Sequence, residues 1–302
     1  MANVVVVFGA TGTQGGSVLR ALLKDKKNFT VRAVTRNAES PKAKALAALG
    51  VEVVQASLDD ASTLSSAVEG CHGVFGVTNS WEHMNSDREI QQGKDLVDAC
   101  KAAGVKHLVF SLLENVEDAI GVKCPHFDAK GVIEKYMFES GVPCTSVRYS
   151  FYMENIIGMM KPQRQYDGGY QLVIPMGDQP MDMVSSSAAG QAVAAIFRCP
   201  TKYLGRAIGL TGDKKTVAEY AKILNKYLSP KKFKATDMPL DQYSRLGFPG
   251  ADDLAAMFDF YRRGNPDRNL KLTWHLDPGM PSFEEWVKAN KDAINESLES
   301  QD

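Results

Sequence analysis

Short runs of apolar, largely β-branched residues alternate with longer stretches of helical period along the first 150 residues. The short runs lack the apolar-polar alternation of a strand with one wet face, so each predicts a strand that is buried on both faces. Strands separated by single helical stretches form a parallel sheet with crossover helices. The predicted strands are Val4–Phe8, Thr30–Thr35, Val51–Gln55, Gly73–Val77, His107–Ser111 and Cys144–Arg148.

Amphipathic stretches between these runs predict the crossover helices, and a glycine follows several of them, as is common at helix ends. The predicted helices are Gly15–Leu23, Lys42–Leu49, Ala61–Val68, Asp87–Ala103 and Lys130–Glu139. The regular βαβ order predicts an α/β fold over residues 1–150, with helices on both faces of a doubly wound parallel sheet.

This rhythm changes after Arg148, which predicts a smaller α+β domain over residues 151–302 that binds a substrate or a partner. A helix over Ser187–Arg198, within residues 183–200, is expected to return to the first domain. The other predicted features are a turn at Asp167–Gly169, a strand at Ala207–Leu210, a capping box between Thr216 and Glu219, and a frayed tail after Asn290.

The composition is that of a folded globular protein, since 44% of the residues are hydrophobic and 24% are charged. A net charge of -1 supplies no overall attraction to nucleic acid or to an anionic bilayer, so we expect neither as a partner. No cationic segment precedes the first apolar run, and the five cysteines show no C-x-x-C spacing. These features predict reduced thiols and a location in the cytoplasm, with the nucleus as a second compartment.

A G-x-x-G-x-x-G motif lies between the first predicted strand and the first helix. Gly9 permits a sharp turn, Gly12 lets backbone amides approach a pyrophosphate, and Gly15 lets the helix pack closely on the strand. The phosphates would lie at the helix N-terminus, where free amides and the dipole favour an anion. The motif predicts a Rossmann dinucleotide site, the alternative being a tight turn without a ligand.

The second strand ends in VRAVTRN, without the acidic residue that would bond the ribose hydroxyls of NAD. Arg36 instead offers a planar guanidinium that suits the 2′-phosphate of NADP(H). Such a charge-assisted hydrogen bond contributes roughly 1.5 to 3 kcal/mol. We therefore expect NADP(H) as the cofactor, the alternative being that Arg36 is a solvated surface residue.

Several further motifs accompany the glycine turn: VTNSWE at 77–82, HFDAKG at 126–131, YMEN at 152–155, PMGDQPMD at 175–182 and LGFPGADDLAAMF at 246–258. With them the chain resembles the NmrA-like family, atypical relatives of the short-chain dehydrogenases, over nearly its whole length. Together with Gly9 and Gly15, the cofactor residues that the resemblance implies are Thr11, Gly12, Thr13, Gln14, Arg36, Thr78, Asn79, Lys130, Tyr152, Glu154 and Asn155. The family pattern has a basic residue where this chain has Ser40 and an acidic residue where it has Ser57. These two departures affect how tightly the cofactor is expected to bind.

Reductases of the short-chain superfamily place a tyrosine four residues before the active-site lysine, and the tyrosine gives a proton to the carbonyl. Here His126 occupies that position before Lys130, while Ser111 ends the fifth strand where a third catalytic residue usually lies. The candidate catalytic residues are thus Lys130, His126 and Ser111, with imidazole or lysine replacing the phenol. The alternatives are a helix-start role for His126 and a structural hydroxyl for Ser111.

Two functions follow from these residues. The resemblance implies a redox sensor, in which NADPH orders loops such as Ser80–Asp87 and Ile120–Phe127 and so selects protein partners. The alternative is an NADPH-dependent reductase of quinones or similar small electrophiles. An aromatic and apolar wall would line its pocket, unless the same residues are domain-interface core: Tyr149, Phe151, Tyr152, Met153, Met159 and Trp81. A homodimer is the default expectation for an oligomer, and the spacing of the histidines indicates no metal.

Overall fold

The β-branched and apolar runs form strands in the computed structural model, which describes residues 2–264 and 266–299. The strands, in chain order, are β1 (Asn3–Val7), β2 (Phe29–Thr35), β3 (Glu52–Gln55), β4 (Gly73–Val77), β5 (His107–Ser111), β6 (Cys144–Tyr149), β7 (Phe151–Tyr152), β8 (Gln163–Arg164), β9 (Tyr170–Val173), β10 (Met181–Val184), β11 (Arg206–Leu210), β12 (Asp213–Lys215) and β13 (Phe233–Thr236). The first six lie within about one residue of their predicted ends, because their apolar runs are bounded by turn residues.

Seven of these strands form one parallel sheet in the order β11-β6-β5-β4-β1-β2-β3. The predicted doubly wound α/β fold is confirmed. Strand order reverses between β1 and β4, which pair directly in the register Val5 with Gly73. In open parallel sheets the crevice at such a reversal, outside the carboxyl ends of the strands, is where ligands bind.

Helices cover both faces of this sheet and build the second lobe. They are α1 (Thr13–Leu23), α2 (Pro41–Ala48), α3 (Ser62–Val68), α4 (Ser80–His83), α5 (Ser86–Ala102), α6 (Val116–Ile120), α7 (Pro125–Glu139), α8 (Gly190–Arg198), α9 (Pro200–Tyr203), α10 (Val217–Tyr227), α11 (Leu240–Tyr243), α12 (Ala251–Arg262), α13 (Leu270–Leu276), α14 (Phe283–Ala289) and α15 (Lys291–Glu299), with a 3₁₀ turn at Met153–Ile156. Helix α7 begins at Pro125, five residues earlier than predicted, because proline is favourable at a first helical position.

The chain returns to the main sheet after residue 150. Strand β11 adds to its edge by pairing with β6, and α8 packs against α1. A Cβ on Gly190 would lie 2.2 Å from the carbonyl oxygen of Ser17, so the two helices approach as closely as their backbones allow. The Gly190 amide donates to the Ser17 hydroxyl at 2.8 Å. The first 150 residues therefore supply six of the seven strands of this sheet.

The second lobe contains two three-stranded sheets, β12-β10-β7 and β13-β9-β8, and the helices that cover them. The predicted capping box at Thr216 and Glu219 starts α10 and is confirmed. The prediction of a frayed tail is wrong as far as Glu299, because Ile294 and Leu298 on α15 are fully buried in this lobe. Within the described residues, no helix combines the length and the apolar character needed to cross a bilayer.

Candidate functional site

The glycine turn after β1 is shaped by backbone contacts that a side chain would prevent. Gly9 has a φ of 63°, in the left-handed region, and a Cβ on Gly15 would lie 2.3 Å from the Gly9 carbonyl oxygen. Gly12 is the N-cap residue of α1, and its amide donates to the same oxygen at 2.9 Å. With no side chain at this N-cap, the first amides of α1 remain available to an anion.

This turn opens into a cleft of about 980 Å³ at the carboxyl edge of the sheet. Such a volume lies at the upper end of the range typical of ligand sites. The predicted cofactor residues that line it are Gly9, Thr11, Gly12, Thr13, Gln14, Gly15, Arg36, Thr78, Asn79, Lys130, Tyr152 and Asn155. The predicted catalytic residues Ser111, His126 and Lys130 line the same cleft, as do Ser40 and Ser57.

Glu154 differs from the other predicted cofactor residues, since it is absent from the residues that line the cleft. Its carboxylate instead accepts hydrogen bonds from the hydroxyls of Ser185, Ser186 and Ser187, at 2.8 to 3.1 Å. The amides of Ser186 and Ser187 also donate to it. A carboxylate satisfied in this way has little capacity left for a ligand, so we assign Glu154 to holding the loop ahead of α8.

Arg36 lies at the rim of the cleft, after β2, as the sequence predicts. Its guanidinium forms an ion pair with Glu82 on the short helix α4. The side chains of the pair are 64% and 40% exposed, so the contact is open to solvent. Ser40 caps α2 by accepting from the Ala43 amide at 3.2 Å, which explains why a serine suits this position.

Lys130 is held by a buried carboxylate that the sequence did not identify. Its ammonium pairs with Glu89 on α5 and donates to the Thr78 hydroxyl at 2.8 Å. Thr78 and Ser80 both donate to Glu89, whose side chain is 1% exposed. Burial alone would raise the pKa of Glu89, but the Lys130 charge and these hydrogen bonds hold it below its ordinary value. The ion pair fixes the position of the ammonium at the cleft.

His126, at the start of α7, faces an acidic residue of the second lobe. Its Nδ1 atom lies 2.7 Å from Oδ1 of Asp253, and its amide donates to Oδ2 at 3.2 Å. The Oδ1 atom has no hydrogen-bond partner of suitable geometry, and Nδ1 also lies 3.8 Å from the sulfur of Cys124. The indole of Trp81 packs on the other side, with ring centroids 5.0 Å apart. Nε2 is thus the ring nitrogen left for a ligand.

Cys124 completes a cluster with His126 and Asp253, whose potential ligand atoms lie within 4.8 Å of one another. The sequence did not anticipate this grouping. Burial, reinforced by the nearby Asp253 carboxylate, raises the pKa of the Cys124 thiol, which donates to the Asp253 carbonyl oxygen at 3.5 Å. The thiol therefore stays protonated in this arrangement.

The far end of the cleft is apolar and aromatic. Of the predicted wall, Trp81, Tyr149, Phe151, Tyr152 and Met159 line the cleft, whereas Met153 is fully buried in the core of the second lobe. Further apolar and aromatic residues that line the cleft are Leu112, Leu113, Phe127, Met160, Leu254, Met257 and Tyr261. Burial raises the pKa of the Tyr152 phenol to about 12, so this hydroxyl stays protonated.

The residues that were missed share one property, which is that their partners lie far along the chain. Glu89 appeared as one of many charges on an amphipathic helix, and Asp253 as half of an acidic pair at a helix start. Glu82 lies in the motif VTNSWE and Asp253 in the motif LGFPGADDLAAMF. These motifs were the sequence signal that could have identified the two residues. Only the fold brings Asp253 to His126.

A family model for the NmrA-like family matches residues 1–289. The chain belongs to the NmrA-like family. A relative from Malbranchea aurantiaca, the NmrA-like family domain-containing oxidoreductase malD, is 33% identical over 328 residues, which cover 94% of this chain and 96% of that protein. The predicted membership is thereby confirmed.

Solved structures resemble the fold over nearly the whole chain, and two of them are informative about function. NmrA, a negative transcriptional regulator in complex with NADP, has a TM-score of 0.83 at 22% identity, over 99% of this chain and 98% of that one. An NADPH-dependent quinone oxidoreductase from Escherichia coli, complexed with NADPH, has a TM-score of 0.77 at 25% identity, over 95% and 99%. One is described as a regulator and the other as an enzyme, so the fold alone does not separate the two functions.

Proposed function

We propose that the chain binds NADP(H) in the cleft and reduces an apolar, planar electrophile such as a quinone. The fit of the cofactor is supported by the close backbone turn at Gly9 and Gly15, which a Cβ would block, and by the guanidinium of Arg36 after β2. Two solved relatives of the same fold hold NADP or NADPH. Arg36 would hold the 2′-phosphate, and the first turn of α1 the pyrophosphate.

The observation that carries the enzymatic proposal is that His126, with Asp253 at its Nδ1 atom, lines the same cleft as the glycine turn. NADPH supplies a hydride when it is bound. Reduction of a quinone to a hydroquinone by this hydride needs one further proton, and His126 donates it from Nε2. The Asp253 carboxylate, 2.7 Å from Nδ1, positions the ring for this transfer. Solvent returns the proton to the ring.

Lys130 and Ser111, the other two candidate catalytic residues, position the cofactor and the substrate. Lys130, which pairs with Glu89, would donate hydrogen bonds to the ribose hydroxyls. Ser111 ends β5 in the lining of the cleft and offers a hydroxyl to the substrate oxygen. The apolar wall excludes water from the reacting atoms and binds an aromatic ring by contact area.

Loss of reduced-nicotinamide absorbance with a panel of quinones tests this function. We expect turnover that saturates with NADPH and that falls in His126→Phe, while calorimetry shows unchanged NADPH binding in that variant. Arg36→Met is the matched cofactor variant, in which NADPH binding weakens and NADH binding does not. Binding of NADPH without turnover of any quinone would overturn the reductase.

A second candidate function is a regulator whose NADP(H)-dependent conformation selects protein partners. The Arg36 to Glu82 ion pair favours it, because this pair joins the cofactor rim to the short helix α4. Such a regulator would act in the cytoplasm or the nucleus, as a monomer or a homodimer. Cofactor-dependent protection of residues 80–87 in hydrogen exchange, in a chain that lacks turnover, is the result expected of it.

A further inference from the structure

At the cofactor rim, the Glu82 carboxylate and a 2′-phosphate would bind the same group, the guanidinium of Arg36. Arg36 is the cleft's candidate ligand for a 2′-phosphate, and in this structure its NH1 atom donates to Glu82. Both residues line the cleft. A phosphate dianion that reached Arg36 would lie next to the Glu82 carboxylate, and like charges at such short range repel each other.

We propose that Glu82 competes with the 2′-phosphate for Arg36, so that NADP(H) releases helix α4 from the rim, whereas NAD(H) leaves it in place. The proposal rests on the NADP(H) binding proposed above. It assigns Glu82 as a residue that sets cofactor affinity and couples the cofactor's phosphate to the substrate end of the cleft.

The coupling follows from the contacts of a second residue on α4. Trp81 precedes Glu82, and its indole packs against the ring of His126 at 5.0 Å. It also lies over Gly250, where a Cβ would come within 2.8 Å of Trp81 Cζ3. A shift of Glu82 away from Arg36 therefore changes a contact of the proposed proton donor.

Helix α4 has four residues, and its C-cap residue Met84 has a φ of 49°, in the left-handed region that is unusual for a residue with a side chain. Its first residue, Ser80, is anchored by the buried Glu89, which leaves the exposed pair at Glu82 as a contact that costs little to break. Motion of α4 would thus pivot at Ser80.

The competition depends on the 2′-phosphate and not on the redox state of the nicotinamide, because NADP⁺ and NADPH carry the same 2′-phosphate. This distinguishes it from the redox sensor that the sequence analysis predicted, which requires a difference at the nicotinamide. The Arg36 to Glu82 pair responds to the total concentration of NADP(H) against NAD(H).

Calorimetry with NADP⁺ and NAD⁺ on wild type and Glu82→Gln tests the competition. We expect Glu82→Gln to bind NADP⁺ about three- to tenfold more tightly than wild type, the range expected for removal of an exposed pair and of a repelling charge. Binding of NAD⁺ should change by less than about twofold. Glu39→Gln is the matched control, since Glu39 lies in the same loop between β2 and α2 as Arg36 but pairs with Lys44 at 3.0 Å, and it should have a smaller effect.

Tryptophan emission tests the movement, with the oxidised nucleotides because they do not absorb that emission. We expect NADP⁺, but not NAD⁺, to change the emission of wild type, and Trp81→Phe to abolish the change. Unaltered or weaker NADP⁺ binding by Glu82→Gln, or an equal emission change with NAD⁺, would overturn the inference and leave cofactor binding intact. Failure of wild type to bind either nucleotide overturns both proposals.

Discussion

Asp253 Oδ1 lies 2.7 Å from Nδ1 of His126, although 127 residues separate them in the chain. The carboxylate is 11% exposed and the imidazole 9%, so little water screens their interaction. A carboxylate at Nδ1 orients an imidazole, while Nε2 remains for the ligand. This contact links the second lobe to the chemistry of the cleft.

Asp253→Asn should lower kcat for quinone reduction on the order of ten- to hundredfold, because the amide no longer holds the imidazole in position for proton transfer. The KM for NADPH should stay unchanged. A merely structural role would change KM together with kcat. Asp252→Asn is the control, since the neighbouring Asp252 is exposed and should tolerate the change.

His126→Tyr restores the superfamily's proton donor at the position four residues before Lys130. If the position serves proton transfer, this variant should retain more turnover than His126→Phe, which should lose on the order of 100-fold or more in kcat. Steady-state rates at saturating NADPH make the comparison. Equal rates in the two variants would show that the proton comes from elsewhere.

Local patterns predicted the first half of the fold because each strand there is a continuous apolar run ended by a turn. The seventh strand of the sheet, Arg206–Leu210, was recognised as a strand but not as part of that sheet, since its partner β6 lies more than 50 residues away. Helix α15 was mistaken for a frayed tail because only Ile294 and Leu298 of its polar sequence are buried.

The glycine turn was predictable because its motif is contiguous in sequence. Glu89, Glu82 and Asp253 were not predictable, since their contacts are made across the fold. Burial decides their roles, and an acidic residue on an amphipathic helix gives no sign that it will be buried. Glu154 shows the converse, because three serines of a distant loop take its carboxylate.

Glu89→Gln should destabilise the protein by about 3 kcal/mol, because it leaves the ammonium of Lys130 partly buried without its counter-charge. Lys130→Met should also destabilise it, since Glu89 then loses its partner. In the double variant the two losses should not add, with a coupling of about 1 to 3 kcal/mol measured by urea unfolding. The exposed pair of Lys226 and Glu284 is the control and should show a much weaker coupling. Additive losses at Lys130 and Glu89 would contradict this account.

The stability of the fold should depend on pH through His107 on β5. The Thr145 hydroxyl donates to the Tyr203 carbonyl oxygen at 2.8 Å, so it accepts from Nε2 of His107, also at 2.8 Å. Burial lowers the pKa of His107 from 6.5 to about 4. The unfolded chain therefore binds this proton first, and the stabilisation present above about pH 6.5 is lost as the pH falls toward about 4.

As the pH falls from about 7 to 5, protonation of this residue should lower the free energy of unfolding of wild type by about 2 kcal/mol. This value follows from the difference in proton binding between the folded and the unfolded chain. His107→Gln keeps a donor for Thr145 but does not titrate, so its stability should fall by about 2 kcal/mol less over the same interval. Urea unfolding of both proteins at the two pH values gives the comparison, with a second buffer to exclude specific ions. Parallel losses in the two proteins would mean that His107 is not the titrating group, because every other ionisable residue is the same in both.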